Sequence, residues 1–233
     1  MNKRIVVTGG TKGIGLAICR LFASKGFHIA TCSRNETDLL RLRSEITEMG
    51  VSVLVKAADL GNKSEALDFG EFVKNNWSSI DILVNNTGIF IPGKILEEQD
   101  GVMEKLWSVN LASAYYVTRV LAPLMIRKNQ GHIFNMCSVA SIKAYPNGGS
   151  YSISKFGLLG FSKVLREELK YMGIKVTAII AGSTWSDSWK GADFPENRLM
   201  QPHDIASTIY AAYALSTVAV VEELIIRPQK GDL

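Results

Sequence analysis

The sequence predicts an α/β fold: a single domain built on a doubly wound, seven-stranded parallel sheet. Two observations lead there. Short β-branched runs alternate from end to end with stretches of helical spacing, as expected when helices cover both faces of a parallel sheet. Thr8, Asn85 and Ser138 close three of those runs, and open parallel sheets bind ligands just beyond the carboxyl ends of their strands.

The first strand is placed over 3–8, where Arg4-Ile5-Val6-Val7-Thr8 is rich in β-branched residues. Gly9-Gly10-Thr11-Lys12-Gly13-Ile14-Gly15 follows at once, and Leu16, Ala17, Leu21 and Phe22 then recur at helical spacing, setting a helix over 13–25. The same reading places strands over 28–32, 52–57, 81–85, 131–137, 174–180 and 221–227. Further helices are expected over 36–49, 63–76, 101–127, 151–172 and 202–216. Asn62 followed by Glu65 has the pattern of a capping box, and Pro202-His203-Asp204 marks another helix start. No repeat, low-complexity stretch or linker interrupts the chain, so residues 1–233 read as one domain.

Composition narrows the functional classes. A chain of 233 residues buries most of its unfolded surface in one core. The net charge of +4 is small and scattered, which argues against nucleic acid. Cys19, Cys32 and Cys137 lack metal-ligand spacing and read as reduced thiols of a cytoplasmic protein. Cys137 alternates away from Ser138 and belongs to the core. His28, His132 and His203 are scattered and read as structural, and no Gly-x-Ser-x-Gly elbow supports hydrolysis. The first strand begins too early for a signal peptide, and no apolar run reaches membrane-spanning length, so no membrane association is expected.

Two segments carry chemistry. A buried strand, a glycine turn and a helix N-terminus form the Rossmann-type anion site, built from backbone N–H groups and the helix dipole. Gly9, Gly13 and Gly15 would serve the tight turn, close approach to a pyrophosphate, and close helix–strand packing. No Gly-Lys-Ser/Thr closes the turn, which excludes a P-loop. Further along, Tyr151 and Lys155 lie one helical turn apart, with Ser138 upstream. A phenol with an ordinary pKa of about 10 carries protons poorly at neutral pH, and a nearby ammonium would draw that value down. A core tyrosine next to a surface lysine would show the same spacing, so the pair depends on its company.

Together these motifs resemble the short-chain dehydrogenases/reductases over nearly the whole chain. By that resemblance Thr8 to Gly15 is the cofactor turn, with contacts from Gly9, Thr11, Lys12, Gly13, Ile14 and Gly15. Asp59-Leu60 is similar to the pair whose aspartate binds the adenine amino group, and Asn85-Asn86-Thr87-Gly88 to the segment after the fourth strand. Asn110 resembles the asparagine that anchors a water on the active-site lysine, completing a tetrad with Ser138, Tyr151 and Lys155. Two departures stand out. Thr87 replaces the usual alanine, and Ala181-Gly182-Ser183-Thr184-Trp185-Ser186 lacks the family's proline and puts Ser186 where a threonine contacts the nicotinamide amide. Gly182, Thr184 and Ser186 are still expected at the cofactor, on a looser loop. The second strand ends in Ser33 and Arg34 without an acid, and Lys12 adds a cation, which favours NADP(H) over NAD(H).

The resemblance implies carbonyl reduction by hydride transfer. Ser138, Tyr145, Tyr151, Trp185 and Trp189 would face the substrate, with Phe90 and Phe194 adding to an aromatic rim. The same aromatics would serve equally to pack the loop. The tail is similar to that of bacterial sepiapterin-reductase-like members, in which an acidic residue anchors the pterin, and Asp232 is the candidate here. The turn and tetrad are equally similar to 3-oxoacyl-carrier-protein reductases. A pterin side-chain ketone, a 3-oxoacyl thioester and a small aromatic or aliphatic carbonyl therefore all stand as substrates. A catalytically silent dinucleotide-binding sensor or scaffold of the same fold is the alternative. The family also implies a homodimer or homotetramer through the helices over 101–127 and 151–172.

Overall fold

In a computed structural model, residues 3–186 and 195–232 are described. The strands are β1 (Arg4–Thr8), β2 (His28–Ser33), β3 (Val53–Ala57), β4 (Ile82–Asn85), β5 (Gly131–Ser138), β6 (Ile174–Ala181) and β7 (Glu223–Ile226). They form one sheet in the order β3-β2-β1-β4-β5-β6-β7, and each neighbouring pair is parallel. The chain reverses its direction of winding between β1 and β4, so the switch point lies beyond Thr8 and Asn85.

The helices are α1 (Gly13–Ser24), α2 (Glu36–Glu48), α3 (Lys63–Asn76), α4 (Val102–Trp107), α5 (Ser113–Ile126), α6 (Gly149–Leu169) and α7 (Pro202–Tyr213). Strand alternation sorts the core into two layers. Ile5 and Val7 face α1, α2 and α7 through Phe22, Leu42, Ile46 and Ile209. Val6 and Leu83 face α3 and α5 through Phe69, Val73 and Leu121. Leu158 and Leu159 of α6 close over Cys137, Ala178 and Ile180. Burial raises the thiol pKa of Cys137 to about 11 and those of Cys19 and Cys32 to about 12, so all three stay protonated core groups. A buried polar chain ties the layers together: Asn85 Nδ2 donates to Thr118 Oγ1 (2.9 Å) and Asn135 Oδ1 (2.8 Å), and Asn135 Nδ2 donates to Ser162 Oγ (2.8 Å).

Three local expectations are corrected. The helix expected over 101–127 is interrupted by a π turn at Ser108–Ala112, a wider coil with i→i+5 bonds that hydrophobic periodicity does not report. The stretch Val102–Ile126 is also long and apolar enough by composition to cross a membrane, contrary to the sequence reading; half of its most apolar window is buried, where α5 packs against α3 and the sheet. The capping box at α3 does not form. The Asn62 N–H is already spent on Asp59 O (2.9 Å), so Glu65 Oε2 instead accepts from the Asp59 N–H (2.7 Å), while Asn62 Oδ1 accepts from Ser64 N (2.9 Å).

His132 is structural, as expected. It stacks on Phe134 at 3.9 Å, and its Nε2 lies 2.7 Å from Thr177 Oγ1, which donates its own proton to Val221 O. Nε2 is therefore the protonated nitrogen. Burial, helped by Lys175, lowers the imidazole pKa from 6.5 to about 3. The unfolded chain binds the extra proton between those values, so this stability is complete above about pH 6.5 and lost progressively as pH falls toward 3. Denaturant midpoints measured across that range should show a slope of up to about 1.4 kcal/mol per pH unit that His132→Gln removes.

Candidate active site

The glycine turn folds tightly because two close approaches exclude side chains. Gly9 has φ +69°, and a Cβ on Gly15 would lie 2.2 Å from Gly9 O and 2.6 Å from Asn86 Nδ2. Gly10, to which the sequence reading gave no task, is equally constrained, since its Cβ would meet Thr31 Oγ1 at 2.2 Å. The Gly10 N–H donates to that same oxygen (3.0 Å), and Thr31 passes its proton to Val7 O (2.6 Å). Thr8 clasps the facing segment: its Oγ1 accepts from the N–H groups of Asn86 (2.9 Å) and Thr87 (3.0 Å), and Asn86 Nδ2 returns a bond to Thr8 O (2.9 Å). Ile14 and the buried Thr11 sit on this cradle, and Thr11 Oγ1 donates to Ser33 Oγ (3.0 Å). Gly13 and Ser186 are neighbours across it, a Cβ on Gly13 lying 3.9 Å from the Ser186 Cβ.

At the second-strand end, Arg34 is exposed. An acid does approach, although none ends the strand: Asp38, on α2, pairs with Lys12 Nζ (3.5 Å) and Arg41 (2.7 Å). Those two cations offset its repulsion toward a phosphate. Beyond β3, Asp59 is exposed and Leu60 buried. Asp59 Oδ1 accepts from Gly61 N (3.0 Å), and Glu65 holds its backbone.

Tyr151, Lys155, Ser138 and Asn110 converge from α6, β5 and the π turn. A Cβ on Gly88 would lie 3.4 Å from Asn110 Oδ1 and 3.5 Å from Lys155 Nζ, so that glycine marks where the two meet. Ser138 Oγ accepts from Ala140 N (3.1 Å), capping the short 3-10 turn Val139–Ser141, and its hydroxyl lies near enough to the Tyr151 phenol to favour the phenolate. Lys155 Nζ lies 5.9 Å from the Tyr151 ring centroid but donates to Met136 O (2.8 Å). The sequence expectation that Lys155 draws the phenol down is not what the geometry gives. Burial pushes Tyr151 up, with the nearby Ser138 hydroxyl pulling back, and burial pushes Lys155 down. Desolvation penalises both charged forms, and the ammonium points at a carbonyl of the sheet. Asn110 is a brace: Oδ1 accepts from Ile89 N (2.8 Å), and Nδ2 donates to Ile89 O and Ser154 Oγ (both 3.0 Å).

The short chain dehydrogenase family model matches residues 3–195. The chain belongs to the short-chain dehydrogenase family. Sepiapterin reductase from Chlorobaculum tepidum is 30% identical over 241 residues, covering 100% of this chain and 99% of that protein. A metagenomic short-chain oxidoreductase solved in complex with NADP superposes with a TM-score of 0.86 at 29% identity, covering 97% of each chain. L-Sorbose reductase from Gluconobacter frateurii, complexed with NADPH and L-sorbose, gives 0.90 at 26% identity, over 97% of this chain and 95% of that one.

In this short-chain dehydrogenase the rim differs from the sequence expectation. Phe90 packs edge-on against the Tyr151 ring at 4.8 Å, and half-exposed Tyr145 lies close enough that Tyr151 helps burial raise its pKa. Trp185 and Ser186 instead line a hollow of about 630 Å³ with Gly13, Leu16, Arg20 and Pro202, away from the tetrad. Thr184 is buried and spends its proton on Gly182 O (3.0 Å). Trp189 and Phe194 lie outside the described residues. Asp232 does not stand open to anchor a pterin, because Oδ1 accepts from Ser183 N (2.9 Å) and Oδ2 from Arg227 Nε (2.7 Å).

Sequence reasoning missed Glu98. Its Oε1 accepts from Ser150 N (2.8 Å) and its Oε2 bonds the Ser150 hydroxyl, so it caps α6 one residue before Tyr151. The contact spans 52 positions, and no local pattern announces it.

Proposed function

We propose that this oxidoreductase of the short-chain dehydrogenase family is an NADP(H)-dependent carbonyl reductase. The observation that carries the reading is the meeting of Tyr151, Lys155 and Asn110 beside Ser138 at the carboxyl end of β5, on the same sheet edge as the glycine cradle. The cradle suits a dinucleotide: Gly15 lets the start of α1 pack directly on Gly9 O, bringing a helix N-terminus to the turn, and Gly88 presents no side chain beside Lys155 and Asn110. Gly9, Thr11, Lys12, Gly13, Ile14 and Gly15 would hold the phosphates, Asp59 and Leu60 the adenine, and Asn86, Thr87, Gly88 and Lys155 the nicotinamide ribose side. When bound, NADPH supplies the hydride for the carbonyl carbon.

The chain supplies the rest. Ser138 holds the carbonyl oxygen, and Tyr151, kept protonated by burial, delivers its proton to that oxygen. Asn110 keeps the loop after β4 against α6. Phe90 and Tyr145 present an apolar wall to a small carbonyl compound, for which a pterin side-chain ketone, a 3-oxoacyl thioester and an aromatic aldehyde are the substrates to try. Exposed Trp107, Tyr115, Ile153, Phe156 and Val164 on α4, α5 and α6 support assembly into a homodimer or homotetramer.

Ser33 and Arg34 are the 2′-phosphate contacts in this reading. Arg34→Ala should raise KM for NADPH about ten- to a hundredfold, one charge-assisted contact being worth about 1.5–3 kcal/mol, and leave KM for NADH nearly unchanged. Consumption of NADPH against that substrate panel, with NADH in parallel, tests the whole reading. Faster turnover with NADPH supports it. NADPH bound but never oxidised would instead mark a dinucleotide-binding sensor.

A further inference from the structure

We propose that the C-terminal tail is a strap that positions the loop after β6 against the glycine turn, with Asp232 as its positioning residue; its effect on cofactor affinity rests on the NADP(H) binding proposed above. The tail turns back at Pro228–Gly231, where Gly231 N donates to Pro228 O (2.9 Å) and Gly231 has φ +83°. Arg227 Nε holds one oxygen of the Asp232 carboxylate across that turn (2.7 Å) and so aims the other at the Ser183 N–H (2.9 Å). The tail is seated directly on the loop's first residue: a Cβ on Gly182 would meet Asp232 Oδ1 at 2.1 Å and Pro228 Cδ at 3.1 Å.

A second fastening lies on Arg198, in the 3-10 turn Glu196–Arg198 ahead of α7. Its Nη1 donates to Gly231 O (2.8 Å) and its Nη2 to Lys230 O (3.4 Å). Ser183 is thereby gripped on both sides, since its carbonyl accepts from Met200 N (3.2 Å) while Trp185 N donates to Met200 O (2.8 Å). The strap therefore sets where Ser186 lies beside Gly13. It also gives physical grounds why Ala181-Gly182 can stand without a proline. The rigidity that a proline ring would build into the loop comes here from a carboxylate forty-nine positions away (|i−j| = 49).

The test uses the full chain with Asp232→Ala and Asp232→Asn. The expected result is a dissociation constant for NADPH raised about tenfold in Asp232→Ala, the loss of one charge-assisted bond, and raised less in Asp232→Asn, which keeps an acceptor for Ser183. The loss should appear in KM for NADPH more than in kcat. In the ligand-free protein, hydrogen exchange at the Ser183 and Trp185 amides should quicken in Asp232→Ala while β6 stays protected. Unchanged NADPH affinity and unchanged exchange in that variant would overturn the proposal, as would a lowered Tm with both readouts intact. Should the unaltered protein fail to bind NADPH, the functional reading falls, and the ligand-free exchange alone decides the strap: faster exchange supports it and equal exchange removes it.

Discussion

Tyr151→Phe stops turnover, with kcat falling at least about a hundredfold, the low end of what a positioned proton donor contributes, while NADPH affinity stays within about twofold. The substitution removes one oxygen from a ring that Phe90 still packs against and leaves Ser138 capping the Val139–Ser141 turn, so the fold has no reason to yield. Stopped-flow reduction and fluorescence titration of NADPH separate the two effects. Full activity in the variant would remove Tyr151 from the chemistry. Because burial raises the phenol from its ordinary value of 10, the proton stays on through neutral pH. The reductive rate should then hold level from about pH 6 to about pH 9, while the reverse oxidation, which needs the phenolate, climbs over the same range.

Gly15→Ala disables the cradle. The added Cβ falls 2.2 Å from Gly9 O and 2.6 Å from Asn86 Nδ2, and the first of these is backbone that no rotamer change can move aside. Asn86 Nδ2 bonds both Thr8 O (2.9 Å) and Gly9 O (3.2 Å), so the clash also pries apart β1 and β4 at the switch point. The expected costs are about 1–3 kcal/mol of stability, as for other overpacked sites, and more than a tenfold loss of NADPH affinity, by about the same energy. Urea denaturation and titration with NADPH check the two separately. Native affinity in a folded Gly15→Ala protein would show that the dinucleotide does not use this turn.

Much of the architecture was legible because it rests on short-range regularities. Runs such as Ile5-Val6-Val7, buried on both faces, fit an interior parallel strand, and the strand and helix limits matched to within two residues except that α6 and α7 stop three residues early, at Leu169 and Tyr213, and β7 is trimmed at both ends to Glu223–Ile226. That last strand is an edge with one neighbour, so pairing and not composition sets its length. The break at Ser108–Ala112 was not legible, since a π turn shifts the helical face by one residue without altering composition. Glu65 was read as a capping partner of Asn62 and serves Asp59 instead, because which donor remains free depends on the turn already formed.

The sequence by itself determined the sheet, the positions of its carboxyl ends, the glycine turn, and the shared helical face of Tyr151 and Lys155. All of these follow from periodicities of two and of 3.6 residues and from the need for glycine where backbone meets backbone. Only the tertiary structure decided that Lys155 Nζ turns to Met136 O, that Asp38 joins Lys12 near the end of β2, that Glu98 caps α6, and that Asp232 is tied to Ser183. Those contacts join residues brought together by chain crossings, and the direction of each pKa shift follows from how far packing removes the group from water. Neither quantity is written in any local stretch of the chain.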